Sequence, residues 1–342
     1  MAIIDKPSDY FETILYTGNG SSQNIGGLDF QPDWVWIKSR SLTKDHDLYD
    51  SVRGADKPLE SNTSVAEQDA GGQGLTSFRS DGFAIGNRST INSNSATQVS
   101  WNWLAGGTGS SNTDGSISST VSANTTSGFS IVSYTGTGSN ATVGHGLGAT
   151  PKFVTIKNRT TSGWSWKTHH VAITPSQRLH LNTNDGATTE TTAFNSTAPT
   201  SSVFSVGTSV GTNGSSDNMI AYCFSEKKGF SKFGSYTGNG NADGTFVYTG
   251  FKPAFVIIKK TDGADNWTIN DNKRVGYNVD NNELFANLSN AEDTNDVLDL
   301  LSNGFKLRHT AGRHNTSGGT YIYMCFAESP FVTSSGIPTC AR

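Results

Sequence analysis

The sequence predicts an all-β chain of three tandem antiparallel β-sandwich (jelly-roll-like) domains. Three observations carry that reading: one unit recurs three times, its apolar runs are too short for helices, and turn-forming residues separate them. The unit opens with Tyr16-Thr-Gly-Asn-Gly20, which returns as Tyr134-Thr-Gly-Thr-Gly138 and Tyr236-Thr-Gly-Asn-Gly240. Each opening is followed by a proline-to-lysine run of constant length: Pro32-Asp-Trp-Val-Trp-Ile-Lys38, Pro151-Lys-Phe-Val-Thr-Ile-Lys157 and Pro253-Ala-Phe-Val-Ile-Ile-Lys259. Each unit closes alike, with Val99-Ser-Trp-Asn-Trp103, Ile220-Ala-Tyr-Cys-Phe224 and Ile322-Tyr-Met-Cys-Phe326. A middle marker also recurs, as Leu59-x-x-Asn62, Leu179-x-x-Asn182 and Leu284-x-x-Asn287, while Ser80-Asp-Gly-Phe83 matches Ser302-Asn-Gly-Phe305. Self-similarity at a fixed period is the signature of a repeat architecture.

The elements follow in order. Trp34 to Ile37 is continuously apolar, rich in β-formers and bounded by Pro32 and by the polar Lys38 to Arg40, which reads as a strand buried on both faces. In the closing run, Val99, Trp101 and Trp103 alternate with Ser100 and Asn102, and the counterparts keep the same phase, as a half-buried strand requires. Between the strands, clusters of Gly, Asn, Ser and Thr come every ~8–12 residues, the rhythm of a sandwich or barrel. Only Asn290 to Leu301 competes as a short helix. The boundaries expected are 1–105 for the first repeat, 106–127 for a Gly/Ser/Thr/Asn-rich linker, 128–227 and 228–331 for the second and third repeats, and 332–342 for a tail carrying Cys340. The linker reads either as an arm laid along the neighbouring domain or as a flexible tether. Glu226-Lys-Lys-Gly229 joins the last two repeats almost directly.

Composition narrows the function. Of the 342 residues, 34% are apolar and 16% charged, with a net charge of −4 and 38 glycines. No basic face for nucleic acid or a membrane surface follows from such a chain. No run approaches the ~18 apolar residues of a membrane helix, and the first residues show no basic-then-apolar leader. The three cysteines include no CxxC and fit synthesis in a reducing cytoplasm.

Candidate chemistry is sparse. His169 and His170 are adjacent and point to opposite faces of a strand; with His180 they complete no metal set. No GxSxG occurs, and Cys223 and Cys325 hold equivalent strand positions, which makes them packing residues rather than nucleophiles. Asp45, Asp47, Asp50 and Glu60 are the carboxylates a glycoside hydrolase would use, but the other repeats do not reproduce them. No catalytic, cofactor-binding or metal-ligating residue is assigned. Trp34, Trp36, Trp101 and Trp103 read as core because their counterparts are other apolar types. Trp164 and Trp166 follow a Thr-Thr-Ser-Gly turn and are candidates for surface contact. Arg53, beside Asp50 in Asp47-Leu-Tyr-Asp50-Ser-Val-Arg53-Gly54, either holds that turn through an internal ion pair or contacts a ligand.

The series from Lys6-Pro-Ser-Asp-Tyr-Phe11 through Tyr16-Thr-Gly-Asn-Gly20, Gln31-Pro-Asp-Trp-Val-Trp-Ile-Lys38, Tyr49-Asp-Ser-Val-Arg-Gly54 and Ser100-Trp-Asn-Trp103, with Tyr321-Ile-Tyr-Met-Cys-Phe-Ala-Glu-Ser-Pro-Phe331, resembles a repeated domain in virion structural proteins of marine tailed phages, of the kind found in cyanophages and pelagiphages and labelled tail-fibre-like. The resemblance covers about residues 6–331; Thr183 to Ser202 departs from it. It implies a non-catalytic virion protein, assembled in the host cytoplasm, that works as a tail fibre or fibre-like appendage in host adsorption. A capsid-exterior decoration protein and, further off, a glycan-cleaving depolymerase are the alternatives. The implied partners are other virion proteins of the tail or capsid, a host-surface glycan or protein, and further copies in a homo-oligomer. Neither nucleic acid nor membrane insertion is implied, and no cofactor.

Overall fold

The computed structural model describes residues 3–274, 278, 282–295 and 297–339; Cys340 lies outside them. Each repeat builds one large antiparallel sheet from five strands in the same order. An opening strand (Phe11–Thr17, Phe129–Thr135, Ser231–Thr237) pairs with the closing strand (Thr97–Trp103, Asn218–Phe224, Thr320–Pro330). The closing strand pairs in turn with the proline-to-lysine strand (Trp34–Ser39, Phe153–Asn158, Phe251–Lys260). A fourth strand (Asp47–Asp50, Lys167–His170, Thr268–Asp271) and an edge strand (Gly54–Leu59, Gln177–His180, Leu284–Phe285) complete the sheet.

A small sheet covers one face of each large one. In the first repeat it is Gln23–Gly26, Gly82–Ile85 and Leu75–Arg79; in the third, Phe246–Tyr248, Gly304–Leu307 and Leu298–Leu301; in the second, only Ala141–Gly144 with Val203–Val206. The Ser-Asp-Gly-Phe and Ser-Asn-Gly-Phe motifs are the hairpin turns of these small sheets. In the segment where a short helix competes, Leu298–Leu301 forms a strand whose Leu298 and Leu300 join the third repeat's core.

Between the two sheets of each repeat lies a private core. Val35, Ile37, Phe83 and Ile85 fill the first, Val154, Ile156, Phe204 and Cys223 the second, and Val256, Ile258, Phe305 and Cys325 the third. The other face of every large sheet is also apolar, so beyond its private core each repeat contributes to an interior shared by all three. Trp34, Trp36, Trp101, Trp103, Tyr222, Phe224, Phe255, Ile257, Met324 and Phe326 belong to one common core. Its centre is the last aromatic of each closing strand. Trp103 and Phe224 stand 6.4 Å apart, Trp103 and Phe326 5.6 Å, and Phe224 and Phe326 5.6 Å, ring centre to ring centre. Three equivalent residues in mutual contact define an approximate threefold axis, with the large sheets facing inward and the small sheets outward.

The 106–127 linker is not a tether. Ser110–Asn112 and Ser119–Asn124 extend the second repeat's large sheet beyond its opening strand, and Thr188–Thr189 extends the opposite edge, giving eight strands. The second repeat therefore begins in space well before residue 128.

One core implies one unfolding event. The wild-type protein is expected to melt in a single transition whose calorimetric and van't Hoff enthalpies agree. Trp103→Ala, which empties the axis, is expected to cost about 3–5 kcal/mol and to move that whole transition. Three separable transitions in the calorimeter would contradict the shared core.

Candidate functional site: the loop end and the seams beneath it

Strand register sorts the loops into two ends. Thr17 pairs with Thr97, Ser39 with Gln98 and Ile37 with Asp47, so the Tyr-Thr-Gly loops, the short helices and the turns after the proline-to-lysine strands share one end. The opposite end carries the axial aromatics and the connections between repeats, at 104–109 and 226–230.

Each Tyr-Thr-Gly loop is anchored in the same way. The tyrosine hydroxyl donates to a carbonyl of the short helix: Tyr16 to Ile91, Tyr134 to Thr212 and Tyr236 to His314. The asparagine that ends the helix accepts a loop N–H, Asn92 from Asn19, Asn213 from Thr137 and Asn315 from Asn239. Its amide donates back to loop carbonyls of Ser21, Ser139 and Asn241. The glycine of the motif is required by close approach: a Cβ on Gly18, Gly136 or Gly238 would fall 2.2, 2.2 or 2.3 Å from the carbonyl oxygen of Ser93, Gly214 or Thr316. Above this clamp, the tips Asn19 to Ser22, Ser139 and Asn140, and Asn239 to Asp243 are exposed.

The seams between repeats form a closed cycle. The residue just before or at the start of each fourth strand donates a ring N–H to the preceding repeat, at the carbonyl that follows the marker leucine. Trp166 Nε1 donates to Glu60, Trp267 Nε1 to His180, and His46 Nε2 to Phe285, at 2.8, 2.8 and 2.9 Å. His46 can do so because Trp36 Nε1 donates to its Nδ1 at 2.8 Å, which leaves the proton on Nε2. The marker asparagines Asn62, Asn182 and Asn287 accept the backbone N–H of His46, Trp166 and Trp267. A backbone bond also repeats across every seam: Glu67 N–H to Arg159 O, Ala187 N–H to Thr261 O, and Glu292 N–H to Arg40 O.

Charge treats the seams unequally. Between repeats one and two, Arg53 pairs with Asp50 at 2.5 Å and with Glu67 at 3.1 Å, Glu67 pairs with Arg159 at 2.8 Å, and the Tyr222 hydroxyl donates to Asp50. Between repeats three and one, Arg274 pairs with Asp271 at 2.7 Å and with Glu292 at 3.1 Å, Glu292 pairs with Arg40, and Trp101 Nε1 donates to Asp271. Burial raises the Glu67 and Glu292 carboxyls, but the flanking arginines outweigh it and hold both below the usual carboxylate range. Between repeats two and three, the same positions hold His170, Ile173, Ala187, Thr261 and Met324. His170 Nδ1 accepts the Ala172 N–H, so its Nε2 donates to the Tyr323 carbonyl at 3.2 Å.

The signature lysines are also interior. Lys38, Lys157 and Lys259 are buried, and burial pushes each ammonium down to about 8. Lys157 Nζ donates to the Asn158 and Trp164 carbonyls, and Lys259 Nζ to those of Asn184 and Asp265. They staple the loop end from below, a role their constant spacing from the proline could have suggested.

The surface expectations are corrected for two residues. Arg53 has a side chain without exposed area, because its guanidinium serves the first seam. Trp166 is likewise fully buried, its indole spent on the Glu60 carbonyl and stacked on Tyr222. Trp164 alone reaches solvent, with 36% of its surface exposed, on a loop held by the bond from Gly163 N–H to Ser64 O; the nearby Val65 is 41% exposed. Among the described residues, no three His, Cys, Asp or Glu side chains gather as a metal set, and no helix is long and apolar enough to cross a membrane. The loop end thus offers hydroxyls, carboxamides and one exposed indole on a rigid base.

Two outcomes follow. Arg53→Ala, which strands Asp50 in the interior, is expected to cost about 3–5 kcal/mol, whereas Trp164→Ala should stay within about 0.5 kcal/mol in the same denaturant titration. Acid should also loosen the body. Burial holds His169 and His180 at about 4 and His170 at about 3, with His46 well below its ordinary value. The unfolded chain therefore takes up these protons first, and the stability they contribute, complete above pH ~6.5, drains as pH falls below it. Between pH ~6.5 and 5, His170→Gln should flatten the measured stability curve by nearly one proton's slope.

Residues 6–330 match a family model described as a domain of unknown function, DUF7483. No curated protein matches the chain. The match runs unbroken through all three repeats, as the shared core does, and the chain belongs to the DUF7483 family.

Proposed function

We propose that the protein is a non-catalytic structural component of a tailed-phage virion, a tail fibre or fibre-like appendage that contributes to host adsorption. One observation carries the reading: three clamped loops are presented at one end and both connections between repeats lie at the other. A rigid scaffold with exposed, chemically varied loops is how folds present contact surfaces. The resemblance of the repeat to marine tailed-phage virion proteins supports the same reading, with other virion proteins engaged away from the loop end. The tips carry hydroxyls and carboxamides with one carboxylate, Asp243, and Trp164 adds an apolar face, a combination suited to a host-surface glycan or protein.

Antibody-gold labelling of intact particles tests the reading. Label on the tail is expected; label spread over the head would move the chain to a capsid-exterior role, and no label would end the virion assignment. Purified protein at micromolar concentration should slow adsorption of the phage, and Trp164→Ala should weaken that competition without changing the melting temperature. Turnover of host polysaccharide by the purified protein would overturn the non-catalytic part.

A further inference from the structure

We infer that the outer edge of the third repeat's small sheet, strand Phe246–Tyr248, is an acceptor for an extended arm of a partner polypeptide, a segment of small uncharged residues around one aliphatic side chain. The second repeat displays the occupied form of this site. There, the equivalent strand Ala141–Gly144 receives residues of the 106–127 arm on its free edge: Ile117 pairs with Val143 in parallel, and Ile117 N–H donates to the Thr142 carbonyl at 3.0 Å. Ser116 exchanges hydrogen bonds with Thr142, its N–H to Oγ1 at 2.9 Å and its Oγ from the Thr142 N–H at 2.9 Å. The Ile117 side chain enters the private core.

The three strands correspond through their pairing: Val143 lies opposite Phe204, Val247 opposite Phe305 and Ile25 opposite Phe83. Thr142 and Gly144, which the arm covers, therefore correspond to Phe246 and Tyr248 in the third repeat and to Asn24 and Gly26 in the first. Among the described residues, no strand pairs with the outer edge of Phe246–Tyr248. The described tail does not fill it, since Thr333 N–H closes on the Ile337 carbonyl. Phe246 and Tyr248 are 44% and 60% exposed while Val247 between them is buried. The first repeat's edge is also open but shows only Asn24 and Gly26, with no apolar platform. An open backbone edge gives an added strand its hydrogen bonds, and flanking side chains give it specificity. Two rings standing where the second repeat is covered by an arm supply both in the third.

The test uses the full chain and a synthetic peptide of the arm, Gly115 to Thr120, as the probe. Amide chemical shifts should change saturably at residues 245–249 and 304–306. A Phe246→Asn, Tyr248→Gly double variant, which installs the residues of the first repeat's open edge, should weaken the interaction at least tenfold. A peptide with Ile117→Pro, which removes the pairing N–H, should not bind the wild-type protein, so the result does not depend on the variant's stability. Absence of saturable shifts at millimolar peptide, shifts confined to other residues, or undiminished binding by a folded double variant would each overturn the inference. Sedimentation showing a wild-type dimer that the double variant abolishes would also overturn it, because the occupant would then be a second copy.

Discussion

Everything in this structure depends on the inward faces of the large sheets having only each other to bury against. A single repeat satisfies one face of its large sheet with its small sheet, at Val35 and Ile37 in the first repeat. The opposite face, with Trp34, Trp36, Trp101 and Trp103, would lie open to water if the repeat stood alone. At roughly 25 cal/mol per Å² and some 150–250 Å² per aromatic ring, that exposure would cost more than a domain of this size has to spare. Three copies closed around an axis solve the problem together. The unequal side chains fit because bulk is traded between repeats, with Trp36 in the first repeat standing where the second has Thr155 and the third Ile257. Such cores tolerate exchange of shapes as long as total volume is kept.

The seams show how the ring finds its order. The neutral bonds, the ring N–H to the carbonyl after the marker leucine and the backbone pair beside it, are the same at all three seams and cannot distinguish one neighbour from another. The buried arginine and carboxylate relays occur at the two seams that involve the first repeat and not at the third. Repeats two and three are joined by the short Glu226-to-Gly229 connection, which holds them side by side covalently. The first repeat joins the edge of the second repeat's sheet through 104–109 and meets the third without any covalent connection. A buried ion pair adds little net stability, but docking Arg53 against the wrong neighbour would leave a charge unpaired in the interior, at a cost of several kcal/mol. The charges therefore mark both seams of the first repeat, one of which the chain does not bridge covalently.

Much of this was legible in the sequence, and the rest was hidden for definite reasons. The triplicated unit, the strands and their alternation follow from residues that must repeat because their sheet positions repeat. Leu59-x-x-Asn62 and its copies appeared as a marker without a role, since the bond between Asn62 and His46 joins residues whose proximity only the folded sheet provides. Lys38 read as the polar end of a strand because an ammonium is ordinarily a surface group; in the fold it is buried and donates to the Ser39 carbonyl. Arg53 was correctly associated with Asp50, yet its partner Glu67 comes from a later loop of the same repeat and Tyr222 from across a seam. The common core was the largest omission. Period-two alternation shows which side of a strand is apolar, but it does not show whether that side meets its own repeat or another.

The same framework explains why the loop tips are free to differ. Below the tip, the tyrosine, the glycine and the helix-ending asparagine consume the backbone groups that would otherwise need partners, identically in each repeat. Above it, Asn-Gly-Ser-Ser, Thr-Gly-Ser-Asn and Asn-Gly-Asn-Ala-Asp differ in length and charge without touching the core. Most of the hydrogen-bond accounting that a buried turn demands is met by residues that do not vary between the copies. Side chains at the tips then answer to whatever they meet rather than to the fold. A threefold body built from one chain adds a consequence that three identical chains could not have: its three tips are covalently distinct, so the end of the molecule can present one asymmetric surface on a nearly symmetric support.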